Sequence, residues 1–164
     1  MAVLREGGAD PVVIVTGAAP VSLPGVITAH NPAWRTGMGS SLCEGLETLP
    51  ADRDAVVVAL VDQPLIRAEV VRRLIAAFLA GAEVAVACYG GKPRNPVLIG
   101  RAHWARAAAA ARGDLGARAF LRSRPDLVTD VECGDAGRPD DLDTPADLAR
   151  ISALVLASEA AARD

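Results

Sequence analysis

Two acidic positions in this chain have the setting that phosphate chemistry needs. Asp62 follows the apolar run Ala55-Val56-Val57-Val58-Ala59-Leu60-Val61 and precedes Gln63-Pro64-Leu65. A run of this kind, rich in β-branched residues, fits a strand buried on both faces of a parallel sheet. Pro64 cannot donate to a ladder, so the strand must stop there. Asp62 is then delivered to the carboxyl end of a central strand, where ligands bind in open α/β sheets. A carboxylate in that place can hold a divalent metal against phosphates. It can equally cap the helix that starts after Pro64. The second position is the cluster Asp140, Asp141 and Asp143, just ahead of Thr144-Pro145. Two separated carboxylates that converge on one Mg²⁺ are what phosphoryl or nucleotidyl transfer requires. Taken alone, Asp143-Thr144-Pro145-Ala146-Asp147 reads first as a helix cap with an acidic first turn.

Two loops carry cations. Gly90-Gly91-Lys92-Pro93-Arg94-Asn95-Pro96 combines backbone freedom with Arg94, an amide and the only lysine in the chain. Backbone amides and cations grip anions, although a Gly/Pro loop is more often a plain turn. Gly113-Asp114-Leu115-Gly116-Ala117-Arg118 is either a helix break or a loop that offers Arg118 to a phosphate. His30 ends a strand-like segment, as a turn residue or a substrate contact. His103, on an Ala/Arg-rich helix, reads as a surface residue. No G-x-S-x-G, G-x-G-x-x-G or Walker lysine loop is present.

The elements that must position these groups alternate between strand and helix, which points to α/β architecture. Ala2 to Glu6 reads as a helix stopped by Gly7-Gly8, and Val12 to Thr16 as a buried strand before Gly17-Ala18-Ala19-Pro20. Val26 to Ala29 is a short strand, and Ser40 or Ser41 is placed to cap a helix running to Leu49. Arg67 to Ala80 has the apolar spacing of an amphipathic helix, ended by Gly81. Glu83 to Cys88 is a strand, Tyr89 to Asn95 a loop and Val97 to Ile99 a short strand. Ala102 to Ala111 is helical, with a further short helix through Leu121. Leu127 to Glu132 is a late strand, and a last helix carries Pro145 in its first turn.

At 164 residues the chain suits one domain, 1–164, with a single core. A net charge of −3 argues against a nucleic-acid surface. The apolar runs are too short to span a bilayer, and the first residues lack the apolar centre of a signal peptide. The expectation is a soluble, cytoplasmic protein. Cys43, Cys88 and Cys133 are far apart and odd in number, which reads as free thiols.

The order of motifs resembles the MobA/MocA-type nucleotidyltransferases, and within them the branch similar to molybdenum cofactor cytidylyltransferase. The matching pieces are His30-Asn31-Pro32 with Trp34, Gly37-x-x-x-Ser41, and Leu60-x-Asp62-Gln63-Pro64. They continue with Gly91-x-Pro93-Arg94-Asn95-Pro96, Gly113-Asp114-x-Gly116-Ala117-Arg118 and Asp141-x-Asp143-Thr144-Pro145. Each is short; together, in this order from His30 to Leu148, they carry the resemblance.

The resemblance implies a Rossmann-like, three-layer α/β/α fold with a mostly parallel sheet. It implies transfer of a nucleotide from an NTP, CTP in this branch, to a phosphorylated acceptor such as molybdopterin, with release of pyrophosphate. Asp62 and Asp143 would be the catalytic pair that holds Mg²⁺. Gly37, Ser41, Gln63 and Pro64 would line the nucleotide site. Gly91, Arg94, Asn95 and Arg118 would face the acceptor.

Two departures qualify this. Many relatives carry Gly-His-Pro where this chain has Arg94-Asn95-Pro96, which leaves the acceptor open to a sugar phosphate or a phospholactate. The family also opens with a strand and a Gly-rich loop, L-A-A-G-x-x-x-R-M-G-x-x-K, that holds the triphosphate. Nothing similar stands ahead of Ala2-Val3-Leu4-Arg5, so about thirty residues are expected to be missing. Two Val-rich strands would then lose a neighbour, and an exposed edge invites self-association. Weak NTP binding and low turnover follow as expectations. A non-catalytic remnant or binding module of the same fold is the competing reading.

Overall fold

The computed structural model describes residues 1–161. Among the described residues, six strands and six α-helices follow in the order α1 (Ala2–Glu6), β1 (Val13–Thr16), β2 (Ile27–His30), α2 (Met38–Thr48), β3 (Ala55–Val58), α3 (Ala68–Leu79), β4 (Val84–Tyr89), β5 (Lys92–Gly100), α4 (Trp104–Ala110), α5 (Arg118–Ser123), β6 (Val128–Glu132) and α6 (Pro145–Ala161). The fold is Rossmann-like and layered. Side chains alternate along the central strands, as a pleated sheet requires. Val84, Val86, Val97 and Ile99 face Leu46 of α2, Trp104 and Ala107 of α4 and Phe120 of α5. Ala85, Ala87 and Leu98 face Val70 and Leu74 of α3 on the other side, joined by Cys133 and Ala136. Small residues on one face of β4 let α3 approach closely, and Val70, Val71 and Leu74 are fully buried there. No helix among the described residues is long and apolar enough to cross a membrane.

The sheet is mixed, where a mostly parallel one was expected. It is in two pieces, a parallel pair β1-β2 and a four-stranded sheet β3-β5-β4-β6. In the larger piece β5 runs antiparallel to both β3 and β4, while β4 and β6 are parallel. Hence β3, β4 and β6 share one direction, and their carboxyl ends lie at one edge. The two pieces are held side by side through the helices. Gly45 of α2 lies against Val15 of β1, close enough that a Cβ would come within 3.2 Å of its Cγ2. Leu46, the next residue of α2, joins the core of the larger sheet. Val3 of α1 and Ala55 and Val57 of β3 pack against the same core on the opposite face.

Two consequences for the site follow. The β3 strand is an outer strand, not a central one, and each of Ala55–Val58 is only half-buried. It also ends at Val58, short of the apolar run. Its ladder stops at the Val58–Val97 pair, because the next residue of β5 is Pro96, which has no N–H to extend it. Asp62 therefore sits in a turn four residues beyond the strand, beside a Val61 that is 83% exposed.

The expected Tyr89–Asn95 loop is mostly strand. Gly90 and Gly91, at φ +59° and +73°, form the two-residue turn of a β4-β5 hairpin, a backbone that side-chain-bearing residues rarely adopt. Lys92, Pro93 and Arg94 pair with Tyr89, Cys88 and Ala87, and the register breaks where Asn95-Pro96 bulges out. His103 is not on the surface. It lies in a 3₁₀ turn ahead of α4, buried, with Nε2 2.8 Å from Glu83 Oε2 and its ring against Phe120. The cysteines are free as expected, with Cys88 and Cys133 buried and Cys43 half-buried. Burial pushes the Cys88 thiol up to about 11, which leaves it inert as a nucleophile.

Candidate active site

The cap reading fails for Asp62 and holds for the Asp143–Asp147 segment, although Asp143 itself is not the capping residue. The helix α3 begins at Ala68 with Arg67 at its N-cap and no side-chain cap hydrogen bond, so Asp62 does not cap it. At α6 the cap is Thr144. Its backbone N–H and hydroxyl bond the Asp147 carboxylate at 3.1 and 2.7 Å, and the Asp147 N–H returns to Thr144 Oγ1 at 3.2 Å. This is a reciprocal capping box with Asp in the third position. Asp143 is thereby released from the structural role that its spacing suggested.

The three aspartates of the second cluster are sorted by their partners. Asp140 bonds Arg138 at 2.9 Å and also pairs with Arg150. The Arg138 guanidinium, aided by Arg150, holds its carboxyl below the usual carboxylate range. Asp141 Oδ1 accepts a hydrogen bond from Gln63 Nε2 at 2.8 Å. No hydrogen bond or ion pair engages the exposed Asp143 side chain among the described residues.

The backbone N–H of Leu142 bonds the Asp62 carbonyl at 2.8 Å, so the turn that carries Asp143 adjoins the turn that carries Asp62. Asp62 Oδ1 is buried with no hydrogen-bond partner, and Gln63 Oε1 is in the same condition. Buried acceptors are almost always paired, so an orphaned carboxylate oxygen needs an explanation. A cation supplies one. The donors available are all oxygens, which suits a hard ion such as Mg²⁺ or Mn²⁺. No group of three or more His, Cys, Asp or Glu side chains is disposed to hold a metal among the described residues. A cation here would rest on one or two carboxylates and take its other oxygens from phosphates and water, which is the usual mode for Mg²⁺ bound with nucleotides. Pro64 and Leu65 continue from this turn into a cleft of about 490 Å³, shared with Arg67, Asp135, Gly137 and Arg138.

A second assembly gathers the other motifs. Asn31 is buried at the end of β2, and its Nδ2 donates to Ser40 Oγ at 2.8 Å and Ser41 Oγ at 3.0 Å. The serines do not cap α2, contrary to expectation. That helix starts three residues before Ser41, at Met38, after Gly37 with φ +108°. A Cβ on Gly37 would fall 2.3 Å from the Gly113 carbonyl carbon, and one on Gly39 would fall 2.8 Å from that of Ala111. The two glycines thus let the start of α2 press onto the loop before Arg118. The sequence reading kept these motifs apart, although the Gly-x-Gly spacing was its one signal of close backbone approach. Arg118 is exposed in the first turn of α5.

The hairpin tip forms a third assembly. Glu132 accepts from the N–H groups of Gly90, Gly91 and Gly134 at 3.1, 3.2 and 2.9 Å. Those amides hold its carboxyl below the usual range. Arg73 binds the Glu132 carbonyl at 3.0 Å and clasps Asp135 through two bonds at 2.6 and 2.8 Å, which keeps the Asp135 carboxyl down at about 2. Sequence reasoning passed over Glu132 as a strand residue. Arg94 and Asn95 stand on this hairpin, Arg94 exposed and bonded only to the Pro93 carbonyl among the described residues. The segment from Cys133 to Arg138 links the tip to the acidic turns, with the Arg138 N–H on the Leu65 carbonyl at 3.2 Å. No hydrogen bond or ion pair joins the Asn31–Gly37–Arg118 assembly to the acidic turns among the described residues.

Known proteins resemble this chain in sequence and fold. The profile of the MobA-like NTP transferase domain matches residues 1–128. Nicotine blue oxidoreductase from Paenarthrobacter nicotinovorans is 34% identical over 158 residues, covering 88% of this chain and 76% of that protein. A homologue of Mycobacterium tuberculosis Rv0371c from Mycobacterium sp. strain JC1 superposes with a TM-score of 0.79 at 28% identity, over 94% of this chain and 80% of that one. Rv0371c of Mycobacterium tuberculosis H37Rv, solved as a manganese complex, gives 0.73 at 24% identity, over 91% and 81%. With its fold, its profile and these relatives in agreement, the chain belongs to the MobA-like NTP transferase family.

Proposed function

We propose that this protein transfers a nucleotide from an NTP, CTP in the first instance, to a phosphorylated acceptor of the molybdopterin type, releasing pyrophosphate. The observation that carries this reading is the pair Asp62 and Asp143. Two turns far apart in sequence meet through the Leu142–Asp62 backbone bond, and each presents a carboxylate with no structural partner among the described residues. A phosphate oxygen of the acceptor attacks the α-phosphorus, the bond from that phosphorus to the β-phosphate oxygen breaks, and pyrophosphate leaves. A divalent cation held by Asp62 and Asp143, Mg²⁺ or the manganese seen in a relative, would offset the charge that builds on those oxygens. The chain's own part is to hold and orient. In this reading Gly37, Ser41, Gln63 and Pro64 stand toward the nucleotide, and Gly91, Arg94, Asn95 and Arg118 toward the acceptor. Exposed arginines recognise phosphates through their planar forks.

The test is pyrophosphate release by the purified chain with each of the four NTPs, Mg²⁺ or Mn²⁺, and molybdopterin. Release that needs both cation and acceptor and is fastest with CTP supports the proposal. Binding of NTP or pterin with no release under any combination supports the non-catalytic module instead.

A second reading comes from the 34% identical relative, whose name is that of an oxidoreductase. It requires redox turnover of nicotine blue by the purified chain, independent of any NTP. The unpartnered Asp62 carboxylate has no work in that chemistry, which is why the transferase reading is preferred.

A further inference from the structure

We propose that Gln63 is a positioning residue, whose amide ties Asp141 to the Asp62 turn and so sets the spacing of the Asp62 and Asp143 carboxylates. This rests on the reading of those carboxylates as cation ligands. The family pattern sends Gln63 to the nucleotide, but its amide nitrogen is already engaged. Gln63 is 8% exposed, and Nε2 donates to Asp141 Oδ1 at 2.8 Å across 78 residues of sequence. A hydrogen bond onto an ionised carboxylate is roughly twice as strong as a neutral one.

Two bonds cross between the same turns, Gln63 Nε2 to Asp141 Oδ1 and the Leu142 N–H to the Asp62 carbonyl. One bond alone leaves a turn free to pivot about it, whereas two fix its orientation. The segment from Asp140 to Thr144 is then pinned all along its length. Asp140 is held by Arg138 and Arg150, Asp141 by Gln63, Leu142 by the Asp62 carbonyl and Thr144 by Asp147. Among the described residues, the Asp143 carboxylate is left without a hydrogen-bond or ion-pair partner and open to a ligand. The amide also has a charge advantage over a carboxylate of the same length. A Glu at this position would set two like charges together, and a Leu would leave Asp141 unheld.

The experiment measures Mn²⁺ binding to the full chain by the electron paramagnetic resonance of free Mn²⁺, with thermal melts of the metal-free protein alongside. Gln63→Leu should weaken Mn²⁺ by about 10–100-fold, the usual cost of losing a group that orients a ligand. Asp141→Asn keeps the acceptor oxygen for Gln63 and should stay within about twofold of wild type. Asp141→Ala should match Gln63→Leu, and the double variant should be no weaker than either single one, since both break the same bond. Should Gln63→Leu fail to fold, Gln63→Met, unbranched and of similar volume, takes its place. Wild-type affinity in the Gln63 variant, additive losses in the double, or an Asp141→Asn as damaged as Asp141→Ala would overturn the proposal. The last of these would make Asp141 a ligand. Failure of the parent reading looks different, because the wild type then binds no Mn²⁺, or Asp62→Asn binds it as tightly as the wild type does.

Discussion

The carboxylates on the two sides of the sheet's carboxyl edge are treated differently. At the end of β6 and in the segment that follows it, Glu132, Asp135 and Asp140 are all at work. Glu132 gathers three backbone N–H groups, Asp135 is clasped by Arg73, and Asp140 by Arg138 and Arg150. Beyond β3, Asp62 buries an oxygen with no partner, and the adjoining Asp143 is equally unengaged among the described residues. The contrast separates acidic residues that hold the fold from those that are held by it. Sequence position does not make that distinction, since Asp140 and Asp143 lie three residues apart in one motif. What distinguishes them is which cations and amides the chain brings within reach.

The strongest challenge to this contrast is to neutralise the unpartnered pair. Asp62→Asn and Asp143→Asn should each lower cation-dependent pyrophosphate release by roughly 10²–10³-fold, because metal-mediated charge stabilisation is worth several kcal/mol. Neither should lower the melting temperature. A drop in stability with activity retained would return Asp62 to a structural role.

Acid titration probes the employed side. Glu132, Asp135, Asp140 and Asp147 all have folded-state pKa values below their ordinary ones. A depressed folded pKa means that the unfolded chain binds protons more readily, so this stability is fully present at neutral pH and disappears as pH falls. The loss should begin near the ordinary carboxyl values of about 4 and run down to the Asp135 value of about 2. Glu132→Gln should flatten that acid limb in pH-dependent melting and loosen hydrogen exchange at the Gly90-Gly91 amides. It should leave Mn²⁺ affinity untouched, and a change there would show that the two sides of the edge are coupled.

A smaller effect is expected at the start of α6. Thr144→Ala removes a capping box and should cost about 1 kcal/mol in denaturant melts. The effect on turnover should follow only from the nearby Asp143 and stay far below that of Asp143→Asn. If Thr144→Ala abolishes turnover at unchanged stability, the assignment of Thr144 as cap and Asp143 as ligand has to be exchanged.

Periodicity and punctuation in the sequence located most of the elements. The amphipathic spacing from Val70 to Leu79 gave α3, the Val-rich segments gave β1, β3, β4 and β6, and Pro145 marked the first turn of α6. These are local signals, set by side-chain period and by where Gly and Pro force a break. The hairpin was misread as a loop because its two glycines and two prolines look like turn residues, and only pairing with β4 shows that Lys92 to Arg94 are strand. His103 was misread because burial of a short helix depends on what packs over it, here Phe120 and Glu83.

The sequence by itself determined the α/β class, the acidic motifs and their order, since composition and spacing are properties of the chain alone. Only the tertiary structure decided that the sheet is in two pieces, with β3 on the outside. It alone decided that Asp140 is neutralised, that Asp141 is tied to Gln63, and that Asp62 and Asp143 are left open. The reason is physical. A carboxylate's availability depends on the donors around it, and those donors come from Gln63, Arg138, Arg150 and Leu142, which meet only when the chain has folded.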